Sequence, residues 1–192
     1  MKKYIIRLFT LTCLAGAAFS CKKDYDGLGP LEDSIAAIPV TVPNQDYFEF
    51  VPIVTTSVAA GGNFTIKLQI PQGKGTIKEI TRVTTGVNGR RNLQYGAPSI
   101  QYNYAPASTS VKPTAGNGSN EITFTSTLKD YTDYRTRVGA ATAGPAAVVA
   151  MTSDTPPQVN QRNPTQLQFF FLITLEDGTQ IIPTEIRVRI LP

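Results

Sequence analysis

Leu167-Gln168-Phe169-Phe170-Phe171-Leu172-Ile173-Thr174-Leu175-Glu176-Asp177-Gly178-Thr179 decides the fold class of this 192-residue chain. Phe169, Phe171, Ile173 and Leu175 recur at every second position, the period of a strand with one face in a core. Phe170 and Leu172 between them are apolar as well, so the strand is expected to be covered on both faces. Asp177-Gly178 is a hairpin turn pair. The returning strand carries Ile182, Ile186, Val188 and Ile190, while Arg187 and Arg189 keep one of its faces wet.

The same period runs upstream. Phe64, Ile66, Leu68 and Ile70 alternate with Thr65, Lys67 and Gln69, and Ile122, Phe124 and Ser126 alternate with Thr123, Thr125 and Thr127. Tyr47 to Thr55 reads as a strand in which Pro52 removes a ladder donor and so favours an edge or a bulge. Thr76 to Thr84 places Ile77, Ile80 and Val83 at a spacing that also fits a helical face, but its Thr and Val content favours a strand. Ile38, Val40 and Val42 suggest a short first strand, and Ile100, Tyr102 and Tyr104 share one face of another. Asn88-Gly89 reads as the tip of a type I′ hairpin, and Lys129 to Arg135 as a single helical turn. Residues 139–161, Ala-rich and then Thr-Ser-Asp-Thr-Pro-Pro, read as a loop or a short strand through Val148 and Val149. About seven to nine short strands with regular turn signals predict an all-β fold, an antiparallel β-sandwich, with an immunoglobulin-like arrangement as the candidate topology. A Cys–Trp–Cys signature that would mark that topology is missing, since the chain has no tryptophan.

The amino terminus carries the address. Lys2 and Lys3 precede an apolar run from Leu8 to Ala18, too short to cross a bilayer core that takes about 20 helical residues. It reads as a cleaved secretory signal, residues 1–20. Ala18-Phe19-Ser20-Cys21 resembles the lipobox of bacterial lipoproteins, with Ala18 and Phe19 standing where the commonest pattern has Leu and a small residue. The resemblance implies acylation of Cys21; ordinary secretory cleavage at the same bond would leave a free thiol instead. Cys13, the other cysteine, departs with the signal, so Cys21 has no partner for an intramolecular disulfide. Lys22-Lys23-Asp24-Tyr25-Asp26 is similar to the charged export signal of Bacteroidota surface lipoproteins, and equally to a solvated tether, which leaves the outer and periplasmic leaflets both open. Gly27, Gly29, Pro30, Pro39 and Pro43 make residues 21–44 a tether with a reach of roughly 70 Å when fully extended. Residues 45–192 are then the β domain.

Charge and residue inventory exclude several functions. Three of the eighteen Lys and Arg leave with the signal, so fifteen positive residues face fourteen negative ones and no nucleic-acid partner is expected. The chain has no histidine, which removes the Ser-His-Asp and Cys-His arrangements and the commonest zinc ligand. Asp130 and Asp133, adjacent at i, i+3, lack the Asp-rich twelve-residue loop of an EF-hand, so neither a metal nor a cofactor is expected.

Tyr95, Tyr102 and Tyr104 are the candidate ligand contacts, because tyrosines side by side on a sheet can hold sugar rings; half-buried sheet tyrosines are the commoner arrangement. The reading that follows is a non-catalytic, lipid-anchored binding or structural module of the bacterial outer membrane, meeting an envelope protein complex or a glycan. Its rival is a small β-sandwich hydrolase or lyase. That would need two carboxylates about 5 to 10 Å apart in a cleft, drawn from Asp46, Glu49, Glu79, Glu121, Asp130, Asp133, Asp154, Glu176, Asp177 and Glu185.

Overall fold

In the computed structural model, which describes residues 38–138 and 166–191, the stretch opened on above becomes the spine of the domain. The signal segment, Cys21, most of the tether, Asp154 and residues 139–161 lie outside the described residues. In chain order the strands are β1 (Tyr47–Glu49), β2 (Val51–Ser57), β3 (Asn63–Gln69), β4 (Ile77–Thr85), β5 (Tyr104–Ala105), β6 (Ser110–Val111), β7 (Thr114–Ala115), β8 (Glu121–Thr127), β9 (Gln166–Leu175), β10 (Gln180–Ile181) and β11 (Ile186–Leu191). Among the described residues two α-helices, α1 (Gly89–Tyr95) and α2 (Leu128–Arg137), interrupt them. The protein is therefore mostly β, as the alternation requires.

The main sheet has the order β1-β2-β11-β9-β4-β7, with β10 also on β9. A second layer, the β3–β8 ladder, packs across it. Phe64 of β3 meets Phe169 of β9 at 5.4 Å between ring centroids, and Phe124 of β8 meets Phe171 at 5.3 Å. Between the layers lie Val54, Ile66, Leu68, Ile80, Val83, Leu167, Ile173, Val188 and Ile190, one contiguous core. These are the alternating residues singled out in the sequence, and their burial is the main force holding the layers together. The layers are unequal, a seven-stranded sheet against two strands, unlike the near-equal sheets of an immunoglobulin-like sandwich.

Most ladders are antiparallel, but β2 and β11 run parallel, with Val54 opposite Val188 and Thr56 opposite Ile190. A parallel pair needs a long crossover, and here the whole of the domain between the second and the last strand supplies it. The β9–β10 turn is the expected hairpin: Gly178 takes φ 87°, Gly178 N–H donates to Leu175 O at 3.0 Å and Asp177 Oδ1 accepts from Thr179 N–H at 2.9 Å.

Phe170 and Leu172, pointing away from the main core, meet Leu93 of α1 and Ile182. This is the second covered face that the apolar run predicts. Here the sequence reading needs correcting, because Asn88-Gly89 is not a hairpin tip. The reversal occurs at Gly86, with φ 81°, and Gly89 opens α1. A Cβ at Gly89 would lie 2.2 Å from the Phe170 ring, so glycine serves there to let the helix sit on the aromatic ring rather than to turn the chain.

Three further expectations change. Tyr47 to Thr55 is two strands, broken at Phe50, whose φ of 64° turns β1 back onto β2; Pro52 pairs only with Phe48 of β1, ahead of the parallel ladder that begins at Ile53, so its missing N–H costs nothing. Lys129 to Arg135 is part of a ten-residue helix. Thr127 and Asp130 close a capping box, each side chain accepting the other's backbone N–H at 3.0 Å, and Leu128, Tyr131 and Tyr134 bury one stripe. Tyr102 lies in a turn and not on a strand, because a side chain stands in for strand pairing there: Asn103 Oδ1 accepts Val83 N–H at 3.0 Å and its Nδ2 donates to Lys112 O at 2.9 Å.

Residues 38–44, read from sequence as the end of the tether, pack on the domain. Val42 is buried, Thr41 exchanges both backbone bonds with Gln69, and the Asn44 side chain accepts Lys67 N–H at 2.9 Å and donates to Thr65 O at 2.7 Å. The segment thus occupies the otherwise open edge of β3, which would invite pairing with another chain.

Candidate functional site

A concavity of about 550 Å3 opens where β8 passes into α2 beneath the loop from Gly96 to Lys112. Tyr102, Tyr104, Lys112, Asp130, Asp133 and Arg137 line it. Arg137 ties its rim together. The guanidinium stacks over the Tyr104 ring at 5.1 Å and the Tyr134 ring at 5.4 Å, and donates to the carbonyls of Ser99 and, at 2.6 Å, Gln101. Cation–π contact on two rings holds a planar cation in one orientation. Gln101 underpins the loop from inside, donating to Asn92 O at 2.9 Å while its own Oε1 is buried without a partner.

Behind this rim runs a chain of hydroxyls. Tyr102 Oη lies 2.6 Å from Ser126 Oγ, and Ser126 in turn donates to Asp130 Oδ2 at 3.3 Å. With the serine proton directed at the carboxylate, the phenol is the donor to Ser126. Burial pushes the Tyr102 phenol well above its ordinary value, the Ser126 bond opposes this in part, and the negative Asp130 nearby pushes it up further. Burial moves Tyr131 in the same direction. A raised tyrosine favours the folded state with its proton on: the contribution is complete below the unfolded value near pH 10 and is lost as pH rises through the folded one. Urea unfolding measured across this range should therefore show stability falling above about pH 10, and Tyr102→Phe should flatten part of that fall. An unchanged alkaline slope in the variant would remove Tyr102 from the account.

The three tyrosines chosen from sequence do not form one platform. Tyr102 packs its ring against Phe124, Tyr131, Tyr134 and Phe169, with Phe169 at 5.2 Å, and is a core residue with its edge at the cleft. Tyr104 lies beside it under Arg137. Tyr95 ends α1, is 83% exposed, and does not line the cleft. Sequence reading missed Tyr134, Arg137 and Lys112. The spacing Thr127-x-x-Asp130 followed by Tyr131 and Tyr134 was the available signal for the first two, since a capping box heading an aromatic stripe predicts a full helix.

The carboxylates are mostly occupied by structure. Asp46 Oδ2 accepts from both the backbone and the hydroxyl of Thr55 at 2.7 Å, Glu49 meets Arg189 at 2.6 Å, Glu185 meets Arg187 Nε at 2.7 Å, and Glu121 lies 3.6 Å from Lys67. Glu79 accepts from Thr81, and Glu176 and Asp177 belong to the β9–β10 turn. Asp130 and Asp133 share the concavity. Asp130 caps α2, Asp133 pairs with Lys129 at 2.6 Å, and both are exposed. Among the described residues no group of three or more His, Cys, Asp or Glu gathers as metal ligands.

No protein-family model matches the chain, and no curated protein or solved structure matches it. The cleft is therefore interpreted on its own chemistry: two fixed aromatic rings, a clamped guanidinium, a lysine and two solvated carboxylates. Such a surface suits a polar ligand offering hydroxyls and an apolar face.

Proposed function

We propose that the protein is a lipid-anchored, non-catalytic module of the bacterial outer membrane, with the Arg137 cleft as the surface that meets an envelope partner or a glycan. The anchor part of this reading rests on Cys21, the one cysteine left behind a secretory-type apolar run and set in a lipobox-like stretch. The binding part rests on a single observation: Arg137 is spent on holding the loop and its two rings in place, and both cleft carboxylates are engaged in capping or pairing. Among the described residues no helix is long and apolar enough to cross a membrane, so attachment through the acyl chains is the route this reading uses. Each buried methylene contributes about 0.8 kcal/mol, and more than one chain is needed to hold a protein stably.

The expected result with a fatty-acid probe in cells is strong labelling and membrane fractionation of the wild type, both abolished in Cys21→Ala. Equal label in the two chains would end the anchor reading. Asp130 and Asp133 bordering one cleft are the observation that favours the hydrolase alternative. Glycan turnover that disappears in Asp133→Asn would establish it over the binding module, whereas retention of a glycan without turnover, weakened by Arg137→Ala, supports the module.

A further inference from the structure

The β1–β2 hairpin puts three aromatic side chains into solvent: Tyr47 is 50% exposed, Phe48 65% and Phe50 99%. Phe50 is the informative one. It takes φ 64°, a left-handed conformation in which glycine or asparagine would sit without strain and a bulky side chain does not. The ring gains no packing within the domain in return. An aromatic residue held at a strained position, with nothing among the described residues to pack against, points outward, towards something beyond the domain.

We propose that this hairpin tip is a bilayer-interface contact, seating Phe48 and Phe50 among the headgroups and upper acyl chains of the membrane to which the protein is tethered. Three observations favour a lipid surface over a protein partner. The tip carries no unpaired charge: its one carboxylate, Glu49, is turned onto Arg189, which also covers the Tyr47 ring at 5.0 Å. Tyr settles at the water–lipid boundary by its amphipathic ring, and Phe buries its apolar ring just inside that boundary. Lastly, the route of the chain fits. Phe48 and Pro52 share a groove of about 510 Å3 with Val40, Thr41, Val42 and Pro43, so the tip stands where the segment leading from Cys21 joins the domain. Only sixteen residues separate Cys21 from Ile38, a reach of at most about 55 Å. With the acyl chains as the first membrane signal, the tip is the second, and its effect is to orient the domain and its cleft relative to the membrane.

The inference rests on the anchor reading, and the test separates the two. The natural chain contains no tryptophan, so Phe50→Trp in the full mature protein is a single reporter at a position with no packing to lose. On addition of phosphatidylethanolamine–phosphatidylglycerol vesicles its emission should move to shorter wavelength and be quenched when the acyl chains are brominated. A matched Val87→Trp protein, equally exposed at 90% but following β4 on the other side of the strand order, should show neither change. Fatty-acid label is measured on the same preparation. Label present with an unshifted Phe50→Trp spectrum overturns the tip and leaves the anchor standing; label absent removes the anchor, and the spectrum still decides the tip. A shift already present without vesicles, growing with protein concentration, overturns the proposal in favour of contact between copies of the chain.

Discussion

Phe169→Ala is expected to lower the unfolding free energy by about 3–5 kcal/mol. The ring is fully buried and stands where four parts of the chain converge. It meets Phe64 of β3 at 5.4 Å, Phe124 of β8 at 5.9 Å, Tyr131 of α2 at 6.2 Å and Tyr102 of the cleft loop at 5.2 Å. None of these neighbours can move in to fill the space without leaving another contact, so the cavity term adds to the lost transfer energy. Against a total stability of about 5–15 kcal/mol for a domain of this size, that is a large fraction. Urea unfolding followed by circular dichroism measures it. A loss under about 1.5 kcal/mol would mean that the site collapses freely and that the layers do not share this ring. Because Tyr102 leans on Phe169, the same substitution should also loosen the cleft, seen as faster amide exchange in residues 100–104.

Gly89→Val should be the most damaging change on the opposite face of β9, destabilising by about 3 kcal/mol, at the upper end of what overpacking costs. A Cβ there meets Phe170 Cδ2 at 2.2 Å and Cε2 at 2.5 Å, and those atoms belong to a rigid ring on the central strand. The helix must lift, and lifting it uncovers Leu93, Phe170 and Leu172 together. Thr84 Oγ1, buried and donating to Gly89 O at 2.7 Å, would lose its partner in the same movement. Trimming the ring tests the mechanism: in a double-mutant cycle, Phe170→Ala should offset part of the Gly89→Val penalty. Strict additivity of the two changes would show that the clash is not the cause.

These two residues also mark how far the sequence could be read. Alternation gave the inner face of β9, of β3 and of β8, because burial on one side of a pleated strand leaves a period of two that no other element imitates. The continuous apolar run correctly announced a second covered face, but nothing in it said that a helix would do the covering. Asn-Gly is a turn signal by conformational preference, and here close approach to Phe170 claimed the glycine instead, a requirement that exists only once a helix and a strand about 80 residues apart in sequence are brought together. The parallel β2–β11 pair is invisible for the same reason: each strand reads alike whichever way its neighbour runs.

The cleft was half legible. Tyr102 and Tyr104 came from an expected strand of which the structure keeps only Tyr104, in β5, and they are neighbours because Asn103 between them pins the loop to Val83 and Lys112. Tyr95 stands apart from the other two because it ends α1, which packs through Leu93 on Phe170 and Leu172, the face of β9 turned away from the main core. The capping box extends the helix as far as Arg137, but the role of that side chain carries no sequence signal, since it depends on carbonyls of Ser99 and Gln101 that reach it through the fold.

Under the proposed amino-terminal anchor, the strap formed by residues 38–44 has a mechanical consequence. Drag on the domain would be transmitted through Thr41 and Asn44, whose few bonds to β3 are far weaker than the aromatic core behind them. Under load they would peel first, paying out roughly 20 Å of slack at about 3.3 Å per residue before any core strand yielded. The strap would act as a shock absorber, and each stretch would briefly bare the β3 edge to whatever strand lay near.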